Sequence, residues 1–112
     1  MKAYQLDAQA LIGGILAEDH DQQMVQLNLQ KDNEVPPYSA DAIITLIVLS
    51  GSICLQTDLG QIDLPTLSVA RLEPQETHAI KALENQTLVL VIKQLSYEAA
   101  ISKKLRFGQC CF

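Results

Sequence analysis

Ala42-Ile43-Ile44-Thr45-Leu46-Ile47-Val48-Leu49 is the stretch on which the fold turns. Ile43, Ile44, Thr45, Ile47 and Val48 are β-branched, which favours a strand over a helix. Ile44, Leu46 and Val48 share one face of that strand, and Ile43, Thr45, Ile47 and Leu49 share the other. An antiparallel strand with one wet face alternates apolar and polar residues, and this one is apolar on both. A central strand covered by the terminal segments of its own chain would read this way. So would a strand at a two-fold subunit interface. A homodimer is the expectation, because so short a β domain has little spare chain with which to cover an outer face.

Moving outward, short runs rich in Ile, Val, Leu and Thr repeat between turn residues. Residues 24–29 alternate, with Val25, Leu27 and Leu29 on one side and Met24, Gln26 and Asn28 on the other. Lys31-Asp32-Asn33-Glu34 breaks that run, and Pro36-Pro37 keeps the next stretch extended. Gly51-Ser52 ends the central strand, and residues 53–57 follow. Asp58-Leu59-Gly60 turns the chain into residues 61–63, and runs at 67–72, 78–82 and 87–93 complete the series. Ser96-Tyr97-Glu98 opens an expected helix to about residue 106, with a capping serine and an early acid at its N-terminus. The expectation is one all-β domain over residues 1–112, a sandwich or barrel with its core at about 24–93 and a short C-terminal helix.

Composition narrows the partners. The chain is 48% hydrophobic and 19% charged, enough to build a core without disulfides or a structural metal. Thirteen acidic against eight basic residues give a net charge of −5, which disfavours nucleic acid and anionic membranes as partners. Aromatic residues make up 4% with no Trp, so a base-stacking platform is not expected. The apolar run at residues 11–16 is too short for a signal-peptide core or a membrane span, which makes the cytoplasm the expected location. The three cysteines form no CxxC pair, so neither a disulfide framework nor a zinc knuckle is expected. Cys54, in an apolar run, reads as a small hydrophobe, and the redox state of Cys110 and Cys111 is open. Lys103, Lys104 and Arg106 read as a solvated face.

From Pro36-Pro37-Tyr38 to Gly51, and again from Leu72 to Lys93, the chain resembles a small single-domain cupin. The resemblance implies a double-stranded β-helix, or jelly-roll barrel. Cupins carry a first motif of Gly, His-x-His, Glu and Gly, and a second with Pro, Gly, His and Asn. With Gly51 as the closing glycine, the glutamate position falls on Ile44, the histidine positions on Ala40 and Tyr38, and the opening glycine on Asp32. In the second motif His78 holds the histidine position, Pro74 stands one residue too close, Gln75 or Glu76 replaces the glycine, and Ala82 replaces the asparagine.

Metal-dependent cupins bind a divalent ion through the ligand positions that here read Tyr38, Ala40, Ile44 and His78. Alanine and isoleucine offer no donor, and a tyrosine ligates poorly while its phenol keeps its proton. No metal and no cofactor are expected, and neither His20 nor a cysteine has a spacing that restores the set. The resemblance instead implies that Tyr38, Ala40, Ile44 and His78 line a small, mostly apolar site with two polar anchors, suited to a small, partly apolar molecule. One alternative is a structural or protein-interaction barrel with a filled interior. Another is a metal-independent isomerase with His78 and Tyr38 as an acid–base pair, which needs a carboxylate on His78 and cations for a phosphorylated sugar. Glu73, Glu76 and Arg71 are the nearest candidates for those roles.

Overall fold

A computed structural model describes residues 1–10 and 12–95. Its strands are β1 (Gly13–Glu18), β2 (Gln22–Leu29), β3 (Glu34–Tyr38), β4 (Ala42–Ser50), β5 (Ile53–Thr57), β6 (Gly60–Leu64), β7 (Val69–Leu72), β8 (His78–Ala82) and β9 (Thr87–Leu95). They form two antiparallel sheets. The first runs β1-β2-β9-β4-β7 and the second β3-β8-β5-β6, so strands distant in sequence lie side by side and the two sheets close as a jelly roll. The expected helix, Cys110, Cys111 and the cluster Lys103, Lys104 and Arg106 lie outside the described residues. Among the described residues, no helix is long and apolar enough to cross a membrane.

The register shows why the sequence folds this way. Leu27 pairs with Val89, Val25 with Val91 and thence with Leu46 and Ala70, which puts successive apolar rows on the inner face of the first sheet. The inner face of the second sheet supplies Ile53, Leu55, Ile80 and Ala82. Leu46, Val48, Ile53, Ala82 and Val89 are wholly buried between them. A fully buried Leu or Ile side chain contributes about 1.5–3 kcal/mol relative to exposure, and such side chains form one continuous core cluster between the sheets.

Two elements depart from the sequence reading. β1 begins at Gly13-Gly14, where the missing side chains hide the alternation that marks a strand. Gly13 has φ +109°, and a Cβ there would run into the carbonyl of Gln26. The second departure is β2. Its apolar side faces inward as expected, yet Gln26 and Asn28 on the other side are also buried, at 3% and 8% exposure. The chain ahead of β1 reaches this outer face at Asp7, whose peptide is clamped there: the Gln26 side-chain amide accepts from its N–H (2.9 Å), while Gln26 and Asn28 donate to its carbonyl (2.5 and 3.1 Å). Gln26 also donates to Asn28 Oδ1 (2.6 Å). Polar groups buried in an apolar face demand partners, and the arm supplies them.

Candidate functional site

The site assembles where the inner rows of the two sheets meet at one end of the barrel. In the second sheet, Tyr38 on β3 and Thr57 on β5 both pair with His78 on β8. In the first sheet, Gln23, Lys93, Ile44 and Leu72 form the corresponding row. The rows touch: Lys93 Nζ lies 4.8 Å from the centre of the Tyr38 ring. Tyr38 in turn meets His78 edge to face, with ring centres 5.4 Å apart and planes at 79°. The site is thus a chain of ammonium, phenol and imidazole across the barrel mouth.

Of the residues expected to line the site, Tyr38 and His78 are in direct ring contact. His78 is 4% exposed and Tyr38 38%, so the imidazole is sunk and the phenol sits at the rim. Ile44 belongs to the hydrophobic core, and Ala40 packs against that core from the loop before β4. Ala40 also accepts a hydrogen bond from the backbone of Gln75 (2.8 Å), tying the two motif regions together. Lys93 escaped the sequence reading, although Val89, Val91 and Lys93 alternate on one face of a single strand. A cation ending an inward-facing apolar row marks the barrel mouth, and that signal was present.

Two shallow clefts of about 200 Å³ each open here, one beside Lys93 and one beside His78. One is lined by Lys93, Gln23, Ala42 and the acidic turn 18–21, the other by His78, Thr57, Pro37 and Thr77. In the acidic turn, Asp19 accepts hydrogen bonds from the backbone N–H groups of Asp21 and Gln22, and hydrogen bonding to Asp21 chiefly holds its carboxyl below the usual range. Asp19, His20 and Asp21 also bring their donor atoms within 4.8 Å of one another, all fully on the surface.

The cupin metal does not fit this mouth. Ala40 has no ligand atom, Ile44 is committed to the core, and His78 belongs to no group of three donor side chains among the described residues. Nor does His78 meet the needs of the acid–base reading. Its Nδ1 lies 3.4 Å from the carbonyl oxygen of Glu76, while the Glu76 carboxylate accepts from the N–H of Glu73, and Glu73 pairs with Arg71 at 3.2 Å. Arg71 and Glu73 thus pair with each other and the Glu76 carboxylate holds the backbone of the β7–β8 turn.

No protein-family model and no curated protein matches the sequence. Solved structures do match. A cupin superfamily protein from Desulfitobacterium hafniense superposes with a TM-score of 0.71 at 18% identity, covering 82% of this chain and 84% of that one. An RmlC-like cupin with a double-stranded β-helix fold from Methanocaldococcus jannaschii gives 0.74 at 16% identity, over 95% and 96%. The Cnp3 cupin domain of Schizosaccharomyces pombe gives 0.72 at 12% identity, over 86% of this chain and 69% of that one. At such identities the likeness speaks for the backbone, and with the two interleaved antiparallel sheets it establishes that this chain has the cupin fold.

Proposed function

We propose that the barrel mouth binds a small, partly apolar molecule without a metal, and that the protein serves as a sensing, carrying or accessory module. The observation that carries this reading is the Lys93–Tyr38–His78 chain, with Ile44 of the core beside Lys93 in the same strand row. Few polar groups over an apolar floor are the usual composition of a small-molecule site. A lysine over a phenol face is held by the ring's negative quadrupole and keeps its N–H donors available. Glu18, Asp19 and Asp21 wall the cleft beside Lys93. A polyanion such as a sugar phosphate would meet those carboxylates, so the ligand carries one carbonyl or carboxylate acceptor.

The test is a titration of isotope-labelled protein followed by NMR, with hexanoate and its neutral amide as probes. Shifts confined to Tyr38, His78, Thr57 and Lys93, with the preference for hexanoate lost in Lys93→Met, support the reading. No response at these residues from either probe refutes it. Elemental analysis of untagged protein addresses the metal: a near-stoichiometric transition metal would overturn the metal-free part. The continuous apolar core between the sheets favours one second reading, a barrel whose outer surface binds another protein. Silence at the mouth together with an interface on the outer face would select it.

A further inference from the structure

The mouth is one end of the barrel, and another cleft opens at the opposite end. Lys93 borders the first and Leu88 the second, about 17 Å apart along β9. This far cleft has a volume of about 270 Å³, against about 200 Å³ for each cleft at the mouth. One wall is the chain ahead of β1 at residues 8–10, and the other is the β8–β9 turn at residues 84–86. Between them Asn28, Leu88 and Ser50 pair side by side across β2, β9 and β4. Hydrogen bonds fix both walls. Asp7, itself clamped by Gln26 and Asn28, accepts from the N–H groups of Gln9 and Ala10 (2.9 and 3.3 Å). Across the cleft, the Gln86 N–H donates to Gln30 Oε1 (3.3 Å), the Lys31 N–H to Asn85 Oδ1 (3.0 Å) and the Ser52 hydroxyl to Glu84 Oε2 (2.6 Å). These bonds engage the amide oxygens of Gln30 and Asn85. A side-chain amide also carries two N–H donors, and among the described residues those of Gln30 and Asn85 have no partner.

We propose that this far cleft is a separate binding site for a neutral polyol of about monosaccharide size. Its lining sets amide N–H donors beside the second Glu84 oxygen, an acceptor. A hydroxyl both donates and accepts, so neighbouring hydroxyls on one ring satisfy both kinds of group. The C–H face of such a ring can cover Leu88, which is half-buried. Charge argues for a neutral ligand. Glu84 is the one charged side chain among the described residues that line the cleft, and an anion would meet it with no cation to offset it, on a chain of net charge −5. An ammonium group has only donors to set against the amide N–H groups. Size points the same way: pockets for drug-sized molecules run from about 300 to 1,000 Å³, and this one falls just below that range. The cleft shares no residue with the mouth, so the proposal stands whether or not the mouth binds anything.

NMR titration of the labelled full chain with D-glucose, and separately with D-glucuronate, tests this. Glucose up to about 50 mM should shift the Gln9, Ser50 and Leu88 amides and the side-chain NH2 signals of Gln30 and Asn85, with a Kd of roughly 1–10 mM. The Tyr38 and His78 signals should stay still. Glucuronate should bind at least about five-fold more weakly. Leu88→Arg replaces the apolar surface between the walls and should weaken glucose binding at least about ten-fold, with circular dichroism checking that the sheet persists. Gln9→Ala, at an exposed position, should weaken it about three-fold and decides the matter if Leu88→Arg fails to fold. No shift at the cleft, shifts found only elsewhere, or glucuronate binding as tightly as glucose overturns the proposal. A response that neither variant weakens overturns it as well.

Discussion

Three glycines separate the conformational from the steric demands of this barrel, and Gly51 is where both fall together. It ends the central strand with φ +73°, and a Cβ built there would sit 2.8 Å from Thr87 Cα and 2.9 Å from Thr87 Cβ. Thr87 cannot yield cheaply. It is 1% exposed, and its hydroxyl donates to the carbonyl of Glu84 at 2.8 Å. Forcing a left-handed backbone on an alanine costs about 1–2 kcal/mol. Overpacking a tight site adds about 1–3 kcal/mol, and the lower entropy of the unfolded chain returns about 0.4–1 kcal/mol. Gly51→Ala should therefore lose about 2–4 kcal/mol, a large part of the ~5–15 kcal/mol that holds a typical domain. Gly60→Ala meets a backbone demand alone, since φ is +129° and nothing lies within 4 Å of its Cβ position. A loss of about 1–3 kcal/mol follows. Gly14→Ala has neither problem and should stay within about 0.5 kcal/mol. Urea denaturation followed by circular dichroism gives all three values. If Gly51→Ala loses less than about 1 kcal/mol, no more than the left-handed backbone alone would cost, the steric reasoning at Thr87 is refuted.

Leu46→Ala, at a wholly buried position, should cost about 2–5 kcal/mol in the same assay; a loss below about 1 kcal/mol would mean that the barrel interior collapses around the gap. Burial, with a hydrogen bond to Asp63, pushes the Cys54 thiol up, so less thiolate forms at a given pH and the native protein should resist iodoacetamide there, as peptide mapping would reveal. Rapid labelling of the folded chain at Cys54 would contradict that. Asp19 carries the opposite sign: its carboxyl is lowered from 3.8 by hydrogen bonds chiefly from Asp21. Its contribution to the β1–β2 turn is present above that value and is lost as pH falls through the lower, folded one. The Asp21 and Gln22 amide resonances should report a midpoint below the ordinary carboxylate range, and a midpoint at or above it would dismiss the turn geometry.

What the sequence disclosed follows from what side-chain period can encode. The strand at β4 was legible because apolar, mostly β-branched residues fill both of its faces, the inner one buried and the outer one half-buried, and β5 and β8 were legible because turn residues bracket them. β1 was not, since Gly13 and Gly14 carry no side chain to alternate. The burial of Gln26 and Asn28 was illegible for a different reason: a polar residue on an outer face implies solvent unless one knows that Asp7 lies on top of it. Tyr38 and His78 were placed together by motif spacing, and the register brings them into contact. Ile44 stands at a ligand position by spacing but belongs physically to the core, a distinction that depends on how the two sheets close. The third member of the mouth, Lys93, needed only the alternation of β9 to be followed to its end.

The place of β9 has a consequence for synthesis of the chain. It inserts between β2 and β4 and is the last of the described strands to leave the ribosome. Until Thr87–Leu95 emerges, β2 and β4 each present an open hydrogen-bonding edge, and β4 exposes apolar residues on both faces. Unpaired edges of this kind template pairing between chains. A nascent chain stalled or truncated before residue 87 has no route to a closed barrel, and the wait for its last strand is the interval in which it most needs a chaperone.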